Sequence, residues 1–289
     1  MARLTRIQTQ VALATRHKVG GWAEGVHASV NAGRSLEFHD LREYARGDDV
    51  ADIDWKASAR RGSLLVKRHV AERRATLLLA AQTGRAMAAM ASAGTVKRDL
   101  ALDAAATFAS LALAHGDYVG VIHRGGATVS ARPTSRAVHV ERMLTALERS
   151  STPTSPDADL AGLLDTAATV TRRRGIVAIV CGDVEIDAHL EARLRRLVVQ
   201  HEVLVVVVPD IDPTDPALEH PLFGVDNERP LPRLRDRTLR DEWLADVAAR
   251  AARRSAALSR LSIRSTTLAP DEPVVPQVLS LVRSVRRAA

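Results

Sequence analysis

Asp48, Asp49, Asp52 and Asp54 crowd one short stretch, LREYARGDDVADIDWKASAR (residues 41–60), among the bases Arg42, Arg46, Lys56 and Arg60. Carboxylates gathered in this way can ligate a divalent cation, pass protons in a hydrolysis, or neutralise bases that folding takes out of water. The first two roles usually need a histidine or a nucleophile close by, and no histidine lies between His39 and His69. Ser58 and Ser63 lack a recognisable base partner. The third role, a joint in which Arg42 or Arg60 pairs with Asp48, Asp49 or Asp54, is the leading expectation. Ile53 and Trp55 alternate with Asp52, Asp54 and Lys56, which predicts a strand with one buried face, and Gly47 with Asp48 suits the turn before it. Trp55 would then cover the charges.

Other chemistry finds little support. The histidines show no H-E-x-x-H spacing, and no glycine-rich loop ends in Gly-Lys-Ser/Thr, so neither a zinc hydrolase nor a P-loop ATPase is indicated. HRGGAT reads as a hairpin turn rather than a phosphate cradle. The net charge of +7 and a pI near 10.4 keep an anionic partner in view. Yet the arginines are spread over nearly every segment, and aromatic residues are only 3%, which does not favour base stacking. Cys181 stands alone, excluding an intramolecular disulfide and a thiolate cluster. With no signal-peptide core at the amino terminus and no run near the ~18 apolar residues of a membrane span, a cytoplasmic protein is expected.

The elements that would position these residues follow from the apolar pattern. ATLLLAA (75–81), GIVAIVC (175–181) and VLVVVV (203–208) are continuous apolar runs of strand length, as in parallel strands covered on both faces. Between them, Leu100, Ala104, Phe108 and Leu111 keep to one helical face, with Asp99 and Gly116 as end signals. Further helical patterns start at Leu160 and Leu190. YVGVIHRGGATVSA predicts a hairpin, SIRSTTL (262–268) a last strand, and residues 276–287 a closing helix. Residues 150–159 and 209–232 read as loops. Trp243, within the amphipathic stretch 239–261, is expected in the core. The fold class is therefore α/β: a doubly wound, mostly parallel sheet with one antiparallel edge strand, preceded by an extension containing short strands. The expected division is an extension over 1–73 and the α/β domain over 74–289.

GRSLEFHDLREYARGDDVADIDWKASARRGSLLVKR (33–68) resembles the signature E-F-x-x-L-R-E-Y-x-x-G-D-D-x-x-x-I-D-W-x-A-S-A-R of the domain of unknown function 58 family. Glu37, Phe38, Leu41, Arg42, Glu43, Tyr44, Gly47, Asp48, Asp49, Ile53, Asp54, Trp55, Ala57, Ser58, Ala59 and Arg60 are in register; Ala51 stands where the family often has arginine. The resemblance implies a von Willebrand factor A-like domain and a working partnership with a MoxR-type AAA+ ATPase and its client proteins. It also implies a place to look for a metal: such domains hold Mg²⁺ through D-x-S-x-S after the first strand, with a threonine and an aspartate from later loops. Here Gln82, Gly84 and Ala86 take the place of the aspartate and the serines, and Ala158 that of the threonine. Asp183 alone remains, unless Thr83 takes a ligand position. No bound metal and no other cofactor are expected. The leading function is a non-enzymatic interaction module; a nucleic-acid or anionic-surface binder and a hydrolase using the Asp48 to Asp54 cluster are the alternatives.

Overall fold

The computed structural model describes residues 2–15, 38–45, 48, 50, 53–69, 74–125, 127–171, 173–215, 218, 222–224 and 237–283. Gly47 and Asp49, with Arg46 and Asp52, lie outside them, as does the side chain of Arg42. In chain order come α1 (Arg3–Thr15), β1 (Phe38–Glu43), α2 (Trp55–Arg61), β2 (Leu65–His69), β3 (Thr76–Gln82), a 3-10 turn (Arg85–Ala88), and β4 (Met90–Ser92) with β5 (Thr95–Val96). α3 (Lys97–Ala114), β6 (Tyr118–Gly125), β7 (Ala127–Thr134), α4 (Ala137–Arg149), α5 (Leu160–Val170), β8 (Ile176–Gly182) and α6 (Ala188–Gln200) follow. β9 (Glu202–Val208), α7 (Arg237–Arg260), β10 (Arg264–Thr267) and α8 (Val274–Arg283) complete the series.

The central sheet has the order β10-β9-β8-β3-β6-β7, parallel except for the β6–β7 hairpin, so β7 is the antiparallel edge. The strand order reverses beside β3, where β8 and β6 flank it in register, Ala81 opposite Val180 on one side and His123 on the other. This is a mostly parallel α/β sheet with helices on both faces and one antiparallel edge strand. Ligands of such sheets bind beyond the carboxyl ends of the strands at this reversal.

Two apolar layers cover the sheet, as the unbroken runs require. Leu77, Leu79, Val119, Val121, Ala178 and Val206 face a layer of α1, α3, α4 and α8, and Leu78, Ala80, Ile122, Val177, Ile179 and Val205 face α5, α6 and the end of α7. α3 is buried around almost its whole girth, because its alanines let neighbours approach from every side. Asp99 does not cap it; Val96 holds that position without a side-chain bond, and Asp99 instead pairs with Arg3. α1 inserts Leu4, Ile7 and Val11 into the same core. Glu141 of α4 accepts the backbone N–H groups of Arg3 and Leu4 at 2.9 and 2.8 Å, satisfying donors that a first helical turn leaves open. Burial works against the charge of Arg3, but Asp103 and Asp99 hold its pKa above the ordinary arginine value.

Trp243 is not in the core. It lies half-buried on α7, with the Arg250 guanidinium 5.7 Å from its ring centre, while the buried residues of that helix are Arg254, Ala257 and Leu258 at the far end. The apolar pattern from 239 to 261 is real, but only its last turns reach the sheet.

Candidate functional site

The predicted strand through Ile53 and Trp55 is instead a bridge followed by a helix. Ile53 pairs with Val66 and is buried, then Asp54 caps α2, its carboxylate accepting the Ala57 N–H at 2.9 Å. Gly62 ends the helix at φ 75°, a left-handed conformation that glycine adopts without strain. Trp55, at the first helical position, is 61% exposed and covers nothing. Arg60 is exposed too, its Nε donating to the Lys56 carbonyl one turn back, so the pairing expected between Arg60 and Asp54 is not formed.

Hydrogen bonds tie this unit together, while the pairings expected of Arg42 and of Asp49 lie outside the described residues. Ser58 is buried; its hydroxyl donates to the Asp54 carbonyl at 2.7 Å and accepts the Leu65 N–H at 2.8 Å, stitching α2 to β2. A hydroxyl engaged in this way is a staple rather than a nucleophile. Asp48 closes the predicted turn, its carboxylate accepting the Ala45 N–H at 2.8 Å while its own N–H donates to the Ala45 carbonyl. β1 pairs with β2, setting Arg42 opposite Val66 and the exposed Glu43 opposite Leu65. The Tyr44 N–H donates to the Leu64 carbonyl. Tyr44, Val50, Trp55 and Leu64 are all exposed large apolar side chains on this one unit.

The carboxyl end of the sheet is the second place where functional residues gather. Gln82 closes β3, nearly buried; its Oε1 accepts the Gly182 N–H at 2.9 Å, and its amide reaches the Ala158 carbonyl at 3.5 Å. Gly84 adopts φ 93° and gives its N–H to the Ser150 carbonyl; a methyl group there would collide with the Pro156 carbonyl and lie 3.0 Å from the Ala158 nitrogen. The loop after α4 therefore lies directly on the end of β3, pinned outside by the bidentate Arg85–Asp157 pair at 2.9 and 2.6 Å. That pair holds the Asp157 carboxyl below its ordinary range. Ala86 follows in the 3-10 turn. Thr83 is fully buried, its hydroxyl without a partner among the described residues.

Two internal cations occupy this end of the sheet. Lys97, 3% exposed at the start of α3, sends its ammonium to Asp210, whose side chain is 58% exposed. A methyl placed on Gly182 would lie 3.1 Å from Lys97 Nζ, which sets that ammonium over the tip of β8. Arg254, 5% exposed, reaches from α7 to Asp183 and to the Thr267 hydroxyl at 3.3 Å. The residues present do not fit a divalent ion: Gln82 is spent on backbone groups, Gly84, Ala86 and Ala158 offer no side-chain oxygen, Asp183 already neutralises a guanidinium, and the uncommitted Thr83 hydroxyl is a single neutral oxygen. Lys97 and Arg254 were not singled out from the sequence. One signal was available, since a lysine opening a helix opposes the macrodipole and calls for a carboxylate elsewhere.

Cys181, below this surface, has its thiol pushed up to about 12 by burial, so it is not a thiolate nucleophile. His123 on β6 is buried with neither ring nitrogen partnered among the described residues, and burial holds its pKa below the ordinary value. Among the described residues no group of three or more His, Cys, Asp or Glu side chains converges as metal ligands would. No helix among them is long and apolar enough to cross a membrane.

Uncharacterized proteins of Mycobacterium tuberculosis (Rv1480) and Mycobacterium bovis (Mb1516) are 28% identical to the chain over 288 residues, covering 96% of it and 88% of each relative. Among solved structures, an aerotolerance-related membrane protein from Bacteroides fragilis superposes with a TM-score of 0.44 at 13% identity, covering 74% of this chain and 99% of that one. The conserved hypothetical protein BatB from Bacteroides thetaiotaomicron gives 0.44 at 10%, covering 74% and 100%. A von Willebrand factor type A protein from Catenulispora acidiphila gives 0.41 at 9%, covering 76% and 43%. The family model described as protein of unknown function DUF58 matches residues 40–251, which include Trp55, Gln82, Lys97, Asp183 and Asp210, and the chain belongs to that family.

Proposed function

We propose that the chain is a non-enzymatic protein-interaction module, the partner of a MoxR-type AAA+ ATPase in handling client proteins. The exposure of Trp55 carries this reading. The side chain belongs to the stretch that resembles the family signature, yet it contributes nothing to the core, and Tyr44, Val50 and Leu64 are exposed with it. Large side chains held at the surface by a hydrogen-bonded scaffold are what a binding hot spot requires. The polar groups that could do chemistry are engaged elsewhere: Ser58 in stapling, Asp54 in capping, Asp183 with Arg254. Many arginines are likewise spent on acids, among them Arg3, Arg85, Arg193, Arg254 and Arg264, which argues against a nucleic-acid surface.

The test is a binding titration with a purified MoxR-type ATPase from the same organism. Trp55→Ala should weaken binding by about thirtyfold, as loss of a hot spot of about 2 kcal/mol does, and leave the melting temperature unchanged. A variant that binds as well as the parent, or one that unfolds, refutes the reading.

A further inference from the structure

β10 is the edge of the central sheet opposite β7, and among the described residues no strand continues the sheet beyond it. In a parallel ladder alternate residues turn their N–H and C=O toward the same neighbour. The Leu268 N–H donates to the Val207 carbonyl, so Arg264, Thr266 and Leu268 address β9, and Ser265 and Thr267 present their backbone groups outward. Exposed edges of this kind are usually covered or charged, because they template pairing with another chain. Here the edge lies in a groove of about 350 Å³ between two helices, lined by Ser255 and Ser259 of α7, by Ser265 and Thr266, and by Ser280 and Leu281 of α8.

The one ionised group in that lining is already committed. Arg264 pairs with Glu202 and donates to the carbonyls of Leu281 and Val282 at 3.3 and 3.5 Å, bracing α8 against the edge. An isolated anion would therefore find hydroxyls but no free charge, and would face the outward carbonyls of Ser265 and Thr267. An extended peptide satisfies donors and acceptors together. Its side chains would point alternately to the Ser255 and Ser259 wall and to the Ser280 and Leu281 wall. The small, hydroxyl-bearing walls leave room for small side chains. The exposed Arg283, in the last turn of α8 beside the Arg264 end of the groove, favours an acid at that end of the peptide; Arg260 at the same end is already paired with Glu191.

We propose that the β10 edge receives an extended segment of a partner chain by strand addition, with small side chains over the groove and an acidic residue at its Arg264 end. This deepens the interaction reading by naming a second surface, distinct from that of Trp55, for an unfolded segment of a client. The probe is a short peptide of alternating valine and serine with a glutamate at each end, fluorescently labelled and followed by anisotropy. Ser265→Pro removes an outward N–H that the ladder with β9 does not use, so the fold should tolerate it, and the peptide should bind at least tenfold more weakly. In the parent protein, hydrogen exchange of the Ser265 and Thr267 amides should slow when the peptide is bound, a readout that depends on no variant. Trp55→Ala should leave peptide binding intact, so failure of the ATPase partnership and failure of strand addition are told apart. No binding by the parent, unchanged exchange at both amides, undiminished binding by Ser265→Pro, or displacement of the peptide by inorganic phosphate would each overturn the proposal.

Discussion

Replacing Arg254 by methionine tests whether the end of the sheet is held by an internal cation. The guanidinium and the Asp183 carboxylate are both largely withdrawn from water, with side-chain exposures of 6% and 18%. Methionine fills much of the space but strands the carboxylate, and breaking a buried pair on one side costs about 3 to 5 kcal/mol. For a domain of this size each kcal/mol moves the melting temperature by about 2 to 4 °C, so a fall of roughly 10 °C is expected by differential scanning fluorimetry or calorimetry. Asp183→Asn alone should fall comparably, because it leaves Arg254 with only the Thr267 hydroxyl among the bonds described above. The double variant removes both charges and should recover to within about 2 kcal/mol of the parent, since the desolvation penalty disappears with the pair. Lys97→Met is the control. Its partner Asp210 remains mostly in water, so a change no larger than about 1 kcal/mol is expected. If Arg254→Met melts with the parent, or the double variant shows the sum of the single losses, the internal-cation argument is wrong.

Three further outcomes follow from the same geometry. Asp54→Ala should destabilise by about 1 kcal/mol through loss of the α2 cap, with Asp54→Ser largely restoring it, measured by urea denaturation. Protein purified without chelators should contain far less than one Mg²⁺, Mn²⁺ or Ca²⁺ per chain by elemental analysis; stoichiometric metal lost on Asp183→Ala would contradict the strand-end description. His123 and His201 both have pKa values lowered from 6.5, chiefly by burial, so the unfolded chain takes up protons before the folded one as pH falls. Their contribution is fully present above 6.5 and declines below it toward the depressed folded values, by up to about 1.4 kcal/mol per pH unit for each histidine. His123→Leu should flatten the acid limb of a stability-against-pH curve.

The order of the six sheet strands and of the helices from α3 to α8 was legible because the central strands are uninterrupted apolar runs, whereas the short β4–β5 pair gave no such run and was missed. The hairpin after Gly125 betrayed itself by breaking the alternation of strand and helix. Residues 53–56 misled because a period of two read over so few positions is weak. The stretch DWKASARRG also spells a capped helix, with Asp54 three residues before Ala57, helix formers through Arg61, and Gly62 at the end. The residue types at positions 82, 84, 86 and 158 were visible, but the ion pairs that gather at that end of the sheet were not. Lys97 meets Asp210 across 113 positions and Arg254 meets Asp183 across 71. No local spacing encodes such pairs; the sheet order brings them together. The β10 edge was equally invisible, since its outward backbone groups belong to topology rather than to side-chain chemistry.

α1 packs against α3, α4 and α8, so the helix at residues 3–15 completes its environment only when residues 274–283 have arrived. During synthesis it is made before each of the three helices it packs against. Until those helices are in place Leu4, Ile7 and Val11 form an incompletely covered apolar stripe, and a helix of 13 residues is marginal by itself in water. Closing so long a stretch of chain adds little to the equilibrium cost, because each doubling of a loop costs only about 0.6 kcal/mol, but it delays the step that rewards it. The nascent chain should therefore pass through a state in which the sheet is assembled and one helix-shaped slot over α3 stands open. Its lifetime sets how long the protein is vulnerable to aggregation, and how long α1 is available to a chaperone.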